Sequence, residues 1–507
     1  MNLQNSPIIL PVTQLRSLAT CERLVWLDTH GDPSERSAPS AALTARLAGG
    51  VAHEEAVHVA TVGAIQPMPV SSWAEGVQVT REAMQRGDAV ILNGFFESLL
   101  PLDGLAQPVM LRGRIDRLEK HGQRGSQALY LPVEIKRYGT LSDADRLQLD
   151  AYIWLLGQAQ GAQPPFAGFW LGGREDGRPA QKVRHDYDDM RLWTALDHAA
   201  RLIADTDTAP PVRIASHCRE CAWYSACRSQ AVATHDVSLL NGLHKATRSH
   251  FQSVGIVSLQ QIVAMSVVEL YQFRNIGKTT APVIHAQARA WIEQRPVWLR
   301  EMPALYREQA WFFDIETDPV RGTVWSIGWS REHEPIQLVV VAPHLTQAQQ
   351  VTLPDGQIVH LAPDTDAAWR CFADGVSADA QPILHWSGFD AGVMRATAPE
   401  DVVTRLKHRL DDFHGSFKKT VQLPVDGLSL KTVAAYFGFE WSAYADWHMA
   451  WSDYQRWLVT ENDGYLAKAC AYQGDDVRAM VVVRDWCQQA APHSGSDLAD
   501  GLLPLQY

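Results

Sequence analysis

The chain has 507 residues, of which 46% are hydrophobic and 20% charged, and its net charge at pH 7 is −12. This length predicts about three domains, because a single core rarely grows past ~250–300 residues. The acidic balance argues against broad, non-specific adsorption to nucleic acid, since no overall positive field attracts phosphates. It does not exclude a nucleic-acid substrate, because carboxylates that bind divalent metals count as negative until the metal arrives.

Targeting and membrane signals are not evident. No basic stretch leads into an apolar core at the N-terminus, and no apolar run approaches ~18 residues. We therefore expect a soluble, cytoplasmic protein. In that compartment the seven cysteines should be reduced, which favours metal or cluster ligation over disulfides for any cysteines that are grouped.

A first domain is predicted at residues 1–232. Its elements are a helix, two strands, a second helix and a third strand, at residues 13–27, 109–118, 128–135, 143–156 and 166–171. Strands followed by a helix and another strand predict a mixed α/β core.

Four cysteines frame this domain. Cys218, Cys221 and Cys227 form a C-x2-C-x5-C triplet, and Cys21 lies near the start of the chain. Four thiolates are the ligands that an iron–sulfur cluster requires, and a triplet plus one distant ligand would fasten both ends of a domain to one cofactor. Structural zinc sites usually use two short pairs, which this pattern fits poorly. Zinc and unligated core cysteines are the alternatives.

Between the cysteines lie the side chains of a predicted metal site. Glu134 and Lys136 alternate along one strand, so both leave the same face. Asp116 ends an earlier strand, and pairing of the two strands would bring its carboxylate beside Glu134. Adjacent carboxylates repel unless a cation such as Mg²⁺ or Mn²⁺ lies between them, where it can activate a water. Lys136 could position that water, whereas a surface Glu/Lys pair on a strand is the alternative.

A G-x3-H stretch ending at His53 precedes these residues, and a Q-x3-Y stretch from Gln148 to Tyr152 follows them. Here the sequence resembles the iron–sulfur PD-(D/E)XK nucleases of the RecB and AddB type, including the CRISPR-associated exonucleases, over residues 10–230. The resemblance implies a 4Fe–4S cluster on the four cysteines. The residues that it assigns to the nuclease site are the metal ligands His53, Asp116 and Glu134, the catalytic Lys136, and the supporting Gln148 and Tyr152.

A helical, glycine-punctuated connector is predicted at residues 233–298. Within it, residues 273–281 resemble a helix-hairpin-helix, whose turn presents backbone N–H groups to a phosphate. Gly277 would make the turn and Lys278 would add positive charge. The usual motif has another glycine where this chain has Asn275, a residue that tolerates the left-handed conformation better than most. A helical spacer whose glycine only makes a turn is the alternative.

A third domain is predicted at residues 299–490, followed by a flexible tail at 491–507 that lacks periodicity. Residues 311–316 predict a buried strand with a hairpin partner at 323–329, and residues 351–361 predict a hairpin about a Pro-Asp-Gly turn.

This domain carries four carboxylates and a tyrosine in a pattern typical of a metal site. Asp314 and Glu316 lie two apart on an apolar strand, so both emerge on one face, which is costly to bury without a cation. Asp390 follows another strand, and Tyr472 and Asp476 share one face of a helix. Four carboxylates suit two-metal phosphodiester cleavage. Solvated acids at a strand end are the alternative.

The arrangement resembles the DEDDy branch of the RNase H-like, DnaQ-type 3′–5′ exonucleases over residues 305–488. Asp475 competes for the last ligand position, but the spacing from Tyr472 favours Asp476. The residues that the resemblance assigns are the metal ligands Asp314, Glu316, Asp390 and Asp476, with Tyr472 as the catalytic residue that holds the attacking water.

Together the two resemblances imply a multidomain α/β protein: a PD-(D/E)XK restriction-endonuclease-like core with an iron–sulfur staple, a helix-hairpin-helix-like linker and an RNase H-like domain. The whole chain is similar to RecB-family nucleases that combine these modules, some with an additional helicase. We expect a metal-dependent exonuclease acting on single strands or ends of DNA in repair, recombination or defence, with a helicase as a potential partner. RNA stays open for the third domain, and a nucleic-acid-binding scaffold with silent sites is the competing interpretation.

Overall fold

The structure is a computed structural model that describes residues 6–39, 41–62, 70–137, 140–173, 178–318, 322–444 and 446–490. The chain divides into two compact units, residues 1–228 and 229–507. The predicted tail lies outside the described residues. No helix within the described ranges is both long enough and apolar enough to cross a membrane.

Six strands form one mixed sheet in the first unit. They are β1 (Ile8–Pro11), β2 (Val90–Leu99), β3 (Val109–Arg124), β4 (Gln127–Lys136), β5 (Ala167–Gly173) and β6 (Pro179–His185). The order is β1-β3-β4-β5-β6, and β2 also pairs with β3. β3 and β4 are antiparallel, whereas β4 and β5 are parallel. The strands predicted at 109–118, 128–135 and 166–171 are thereby confirmed.

Helices cover both faces of this sheet. They are α1 (Val12–Thr20), α2 (Glu22–His30), α3 (Ala41–Val62), α4 (Trp73–Arg86), α5 (Asp143–Gln160) and α6 (Asp189–Ala204). Residues of α1, α5 and α6 share the main core, whereas Val57 of α3 packs with Ile135 and Trp170. Because side chains alternate along β4, Glu134 lies on the face opposite Ile135, as predicted.

Two local features shape the helices that border the first site. α5 begins with a capping box in which Ser142 and Asp145 satisfy each other's backbone N–H groups. The prediction of a single helix at residues 13–27 was wrong in one respect, because the segment forms two helices. Cys21, whose backbone is extended with φ −158° and ψ 110°, separates α1 from α2.

A helix at Tyr224–Ala233, α7, contains the boundary between the units, and four short helices follow it. They are α8 (Lys245–Ser253), α9 (Leu259–Ala264), α10 (Val267–Leu270) and α11 (Thr280–Glu293). Asn275, in the turn between α10 and α11, has a positive φ of 64°. An asparagine tolerates that left-handed conformation better than most residues, as the sequence indicated.

The second unit is built on a seven-stranded sheet. The strands of this unit are β7 (Val297–Trp298), β8 (Trp311–Thr317), β9 (Val324–Arg331), β10 (Gln337–Val341), β11 (Gln349–Thr352), β12 (Ile358–Ala362), β13 (Ile383–His385), β14 (Leu410–Asp412) and β15 (Val421–Gln422). β7 and β15 form a separate two-stranded ribbon, and the other seven form the sheet. The order is β11-β12-β10-β9-β8-β13-β14. Both predicted hairpins are present, β8 with β9 and β11 with β12.

Seven helices surround this sheet: α12 (Thr365–Gly375), α13 (Gly388–Thr397), α14 (Glu400–Leu406), α15 (Phe413–Thr420), α16 (Leu430–Tyr436), α17 (Trp447–Thr460) and α18 (Asp463–Ala490). Phe313 and Ile315 of β8 pack with α12, whereas Phe312, which alternates with them, packs with α18. α18 lies close to β9, since a Cβ added to Gly328 would come within 2.9 Å of Gln473. The face of β8 that carries Asp314 and Glu316 therefore points toward α18.

Candidate metal centres

The first centre forms where β3 and β4 pair. Asp116 and Glu134 are both buried, with 9% and 2% of their surface exposed. Arg117 pairs with Val133, which brings Asp116 next to β4, and one Asp116 carboxylate oxygen accepts a hydrogen bond of 2.9 Å from the backbone N–H of Ile135. The antiparallel register thus brings together the two carboxylates that the sequence placed on separate strands.

The two oxygens of Glu134 have different surroundings. Its Oε1 accepts hydrogen bonds from the Lys136 ammonium and, at 3.1 Å, from the amide Nε2 of Gln148. The same nitrogen donates to the Tyr152 hydroxyl at 2.8 Å, and that hydroxyl donates to the Arg114 carbonyl at 2.9 Å. Oε2 of Glu134 is buried and has no hydrogen-bond partner among the described residues. A buried, unpaired carboxylate oxygen is the kind of atom that a cation satisfies.

Charge repulsion is strong at this centre. Burial raises the pKa of Asp116 well above its usual range, and the Glu134 and Glu54 carboxylates raise it further. Burial alone would lower the pKa of Lys136, but the carboxylates of Glu134 and Asp116 outweigh it, so the pKa is raised and the ammonium stays charged. A divalent cation would relieve the repulsion between the acids.

His53, the predicted histidine ligand, lies on α3. Its imidazole is beside Gly173 at the end of β5, where an added Cβ would come within 3.1 Å of Cε1. His53 Nε2 is buried, and the part of the chain that the structure describes offers it no hydrogen-bond partner, which fits a metal ligand. The neighbouring Glu54 also belongs to this centre, because its carboxylate raises the pKa of Asp116. Sequence reasoning missed this residue. The A-H-E-E run around His53 was the available signal.

The four predicted cluster ligands lie near one another in the first unit. Cys21 separates α1 from α2, Cys218 and Cys221 belong to a short turn that starts at Ser216, and Cys227 is in α7. None of the four forms a disulfide within the described residues. Burial raises the pKa of Cys221, and the other three sulfurs raise it further. All three are therefore close enough to Cys221 to affect its ionisation. Four sulfur donors in one part of the first unit are the set that a thiolate-bound metal group would require.

The second centre lies between β8 and α18. Ligand oxygens of Asp314, Glu316 and Asp476 all come within 4.8 Å of one another. Among the residues that the structure describes, this is the one group of three potential metal ligands that is so closely spaced. Gln473 donates to Asp314 at 2.8 Å, and Trp441 Nε1 donates to Asp476 Oδ1 at 2.7 Å.

Burial and mutual repulsion dominate the electrostatics of this group. Burial raises the pKa of Asp314 well above its usual range, and the carboxylates of Asp390, Asp476 and Glu316 add to it. The pKa of Glu316 is raised for the same reasons, although the Lys431 ammonium opposes the shift. The acids therefore cannot all ionise at neutral pH unless a cation joins them.

Asp390 lies in the first turn of α13, on the same side of the sheet. Burial, followed by the Asp476 and Asp412 carboxylates, raises its pKa to about 8. α13 is capped by Ser387, whose φ of 110° is unusual for a residue other than glycine. Such strained backbone is often found at functional sites.

Tyr472 lies one helical turn before Asp476 on α18. Its hydroxyl accepts a hydrogen bond of 2.6 Å from the Lys431 ammonium. Burial and the carboxylates of Asp476, Glu316 and Asp314 raise the pKa of Tyr472, which keeps the hydroxyl neutral. Lys431 and Trp441 come from the segment before α17, and the sequence did not single them out as site residues.

The predicted phosphate-contacting turn lies between α10 and α11. The Gly277 carbonyl accepts backbone hydrogen bonds of 3.0 Å from Thr280 and Ala281, which opens α11. Gly277 and Lys278 are both exposed. A helix N-terminus beside an exposed lysine is compatible with phosphate binding.

Two family models match this chain, one over each domain. Residues 12–228 match the family model of the PD-(D/E)XK nuclease superfamily, and residues 311–488 match that of the RNase H superfamily. No match is found among the curated proteins. One solved structure, described as the crystal structure of SSO0001, is 14% identical over 44% of this chain and 88% of that chain, with a TM-score of 0.24. Nuclease domains of these kinds generally use divalent metals such as Mg²⁺ or Mn²⁺ and act on nucleic acid. The predicted fold class is confirmed for its two domains and its mixed α/β sheets, whereas the iron–sulfur staple and the helix-hairpin-helix-like linker stay predictions: the chain joins a PD-(D/E)XK nuclease-superfamily domain and an RNase H-superfamily domain, which point to a metal-dependent nuclease.

Proposed function

We propose that the chain is an exonuclease that acts on single strands or free ends of DNA through two separate phosphodiester-cleaving centres. The observation that carries the proposal is the second centre, where oxygens of Asp314, Glu316 and Asp476 lie within 4.8 Å of one another. Such a cluster is costly to keep buried unless divalent cations bind there. Asp390 would complete the ligand set.

In the first centre, Asp116, the free Oε2 of Glu134 and His53 Nε2 would hold a divalent metal. When bound, the metal would act as a Lewis acid toward the scissile phosphate and would lower the pKa of a metal-bound water. Lys136 stays protonated beside Glu134 and stabilises negative charge that builds on the phosphate. Gln148 and Tyr152 keep the Glu134 carboxylate oriented.

In the second centre, Tyr472 would orient the attacking water. Its hydroxyl is neutral and accepts the Lys431 hydrogen bond, so it acts as a donor, toward the Asp476 carboxylate in this structure and toward the water oxygen when substrate is bound. In-line attack with the 3′ oxygen as leaving group then removes nucleotides stepwise from a 3′ end. The exposed turn at Gly277 and Lys278 is proposed to contact the strand backbone.

The four cysteines are proposed to bind a 4Fe–4S cluster with a structural role, since such a group would fasten Cys21 to the C-terminal part of the first unit. Protein prepared without oxygen should be brown, absorb broadly near ~400 nm and contain about four irons per chain. Stoichiometric zinc without iron would exclude this proposal.

We further propose a cytoplasmic location and a role in DNA repair, recombination or defence, with a helicase as a candidate partner. The support is the pairing of two nuclease domains in one chain, together with cysteines that suit a reducing compartment.

The decisive experiment is hydrolysis by the anaerobically purified full chain. Single- and double-stranded DNA and single-stranded RNA, each labelled at the 5′ or 3′ end, are incubated with Mg²⁺ or Mn²⁺. We expect shortening of DNA from its ends in both metals. Cleavage of RNA alone would favour an RNA substrate, and binding without hydrolysis of any substrate would favour the scaffold interpretation.

A further inference from the structure

Arg16, on α1, contacts the residues that orient Glu134. Its guanidinium Nη1 donates to Gln148 Oε1 at 2.8 Å and to Asp145 Oδ1 at 2.5 Å. Asp145 is itself held by Ser142, whose backbone N–H donates to Asp145 Oδ2 at 3.0 Å. Arg16 is therefore tied to the first turn of α5, one turn before Gln148.

The hydrogen bonds around Gln148 can run in one direction only. The Arg114 carbonyl is an acceptor, so the Tyr152 hydroxyl donates to it and accepts from the Gln148 amide. The second amide hydrogen goes to the Glu134 carboxylate. Gln148 Oε1 must then face a group that is a donor and cannot accept, and a guanidinium meets that requirement.

Removal of the guanidinium would free the Gln148 amide to rotate. A full flip would stay unfavourable, because the amide oxygen would then face the Glu134 carboxylate, but with Oε1 unpaired the amide would turn toward another donor and weaken its hydrogen bond to Glu134. Of the two donors to Glu134 Oε1, Lys136 would then be the main one left. A single flexible ammonium does not hold the carboxylate in one orientation. The position of Oε2, the oxygen without a hydrogen-bond partner, depends on that orientation.

We propose that Arg16 is a positioning residue of the first centre, which fixes the Gln148 amide and thereby aims Glu134 Oε2 at the metal position. The inference rests on the proposed function of this centre. Arg16 acts through Gln148 and does not itself touch the metal. Its side chain is 34% exposed, so its placement depends on the two hydrogen bonds rather than on burial.

The test uses the full chain with Asp314→Ala, so that the first centre alone is measured. Mn²⁺ binding is followed by calorimetric titration, and kcat and KM are measured on single-stranded DNA. Arg16→Met should weaken Mn²⁺ binding about 10-fold and lower kcat by a similar factor, because partners behind a metal ligand typically matter to that extent. KM for DNA should stay within about 2-fold if only metal orientation is lost.

Two variants separate this effect from general damage. Arg16→Lys keeps a donor toward Gln148 and should retain most of the Mn²⁺ affinity. Arg112→Met is the matched control, because Arg112 is as exposed as Arg16 and pairs at 2.9 Å with Glu97, outside the Gln148 network. The control should leave both Mn²⁺ binding and kcat unchanged.

A double-mutant cycle decides whether Arg16 acts through Gln148. In a Gln148→Met background, Arg16→Met should cause no further loss of Mn²⁺ affinity. Additive losses, a rise in KM alone, or unchanged Mn²⁺ affinity in Arg16→Met would each overturn the inference. If Mn²⁺ binding depends on Arg16 but no DNA is hydrolysed, the proposed function fails and the positioning role stands.

Discussion

Asp475 and Asp476 are adjacent on α18 but have different surroundings. Asp475 Oδ2 accepts two hydrogen bonds of 2.7 Å from Ser442, and its Oδ1 accepts two from Arg478, at 2.7 and 3.1 Å. Asp476 instead joins Asp314 and Glu316 in the carboxylate cluster. These contacts indicate a structural role for Asp475, whereas Asp476 is the residue that we propose as a metal ligand.

The two positions should respond differently to the same substitution. In a Glu134→Ala background, Asp476→Asn should lower kcat by about 100-fold or more, because a proposed ligand is lost for the cation that would offset the developing negative charge. Asp475→Asn should keep most of the activity and reduce the stability of the second unit by about 1–3 kcal/mol, the usual cost of breaking buried polar contacts. Steady-state kinetics and thermal unfolding measure the two effects. Equal losses of activity would contradict this assignment.

Residues of the sites could be predicted where local geometry decides their direction. Glu134 and Lys136 follow from alternation along a strand, and Tyr472 and Asp476 from the spacing of a helix. Glu54 and Lys431 could not be predicted in this way, because their approach to the carboxylates depends on how α3 and the segment before α17 pack. That packing is a tertiary property which a single sequence does not state.

His58 should make the first unit sensitive to acid. It is 4% exposed, and burial, with a contribution from Arg117, lowers its pKa to about 4 from 6.5. Above pH 6.5 the residue is neutral in both states and has no effect. As the pH falls from 6.5 toward 4 the unfolded chain takes up the proton first, so stability is lost.

We expect His58→Gln to remove this acid sensitivity. Between pH 7.5 and 5.0, wild type should lose about 2 kcal/mol more than the variant in the unfolding free energy of the first unit, or roughly 4–8 °C in melting temperature. Calorimetric scans at the two pH values provide the measurement. Parallel shifts for both proteins would mean that other groups cause the acid response.

At the scale of elements, α1 links the cysteine group to the first metal centre. It carries Arg16 in its middle and ends at Thr20, directly before Cys21, whose backbone N–H donates to the Ser17 carbonyl at 2.7 Å. Sequence periodicity predicted one continuous helix here because apolar residues recur on both sides of the break. The extended backbone of Cys21 is set by its surroundings, which periodicity does not report.

Loss of the Cys21 thiol should therefore weaken metal binding at the first centre. In protein with Asp314→Ala, Cys21→Ser should lower the melting temperature of the first unit, reduce its iron content and weaken Mn²⁺ binding about 10-fold. Cys371→Ser is the matched control, since Cys371 is a half-buried thiol of the second unit, and it should change none of these. Unaltered Mn²⁺ binding in Cys21→Ser would show that α1 does not transmit the effect.

At the scale of the molecule, the carboxylates divide into two sets on two separate sheets. Asp116 and Glu134 belong to the sheet of the first unit, and Asp314 and Glu316 to that of the second. This division could be predicted, because each set lies on strands within its own stretch of sequence.

Separate carboxylate sets predict two independent activities. Glu134→Ala should leave the second centre active, so that 5′-labelled single strands are shortened into a ladder from the 3′ end. Asp314→Ala should leave the first centre active, and its activity should favour Mn²⁺ over Mg²⁺, because His53 is the one imidazole proposed as a ligand and nitrogen suits Mn²⁺ better. The double variant is the control and should cleave nothing. End-labelled DNA, resolved on denaturing gels in each metal, reports both activities, and loss of all cleavage in either single variant would show that the centres depend on each other.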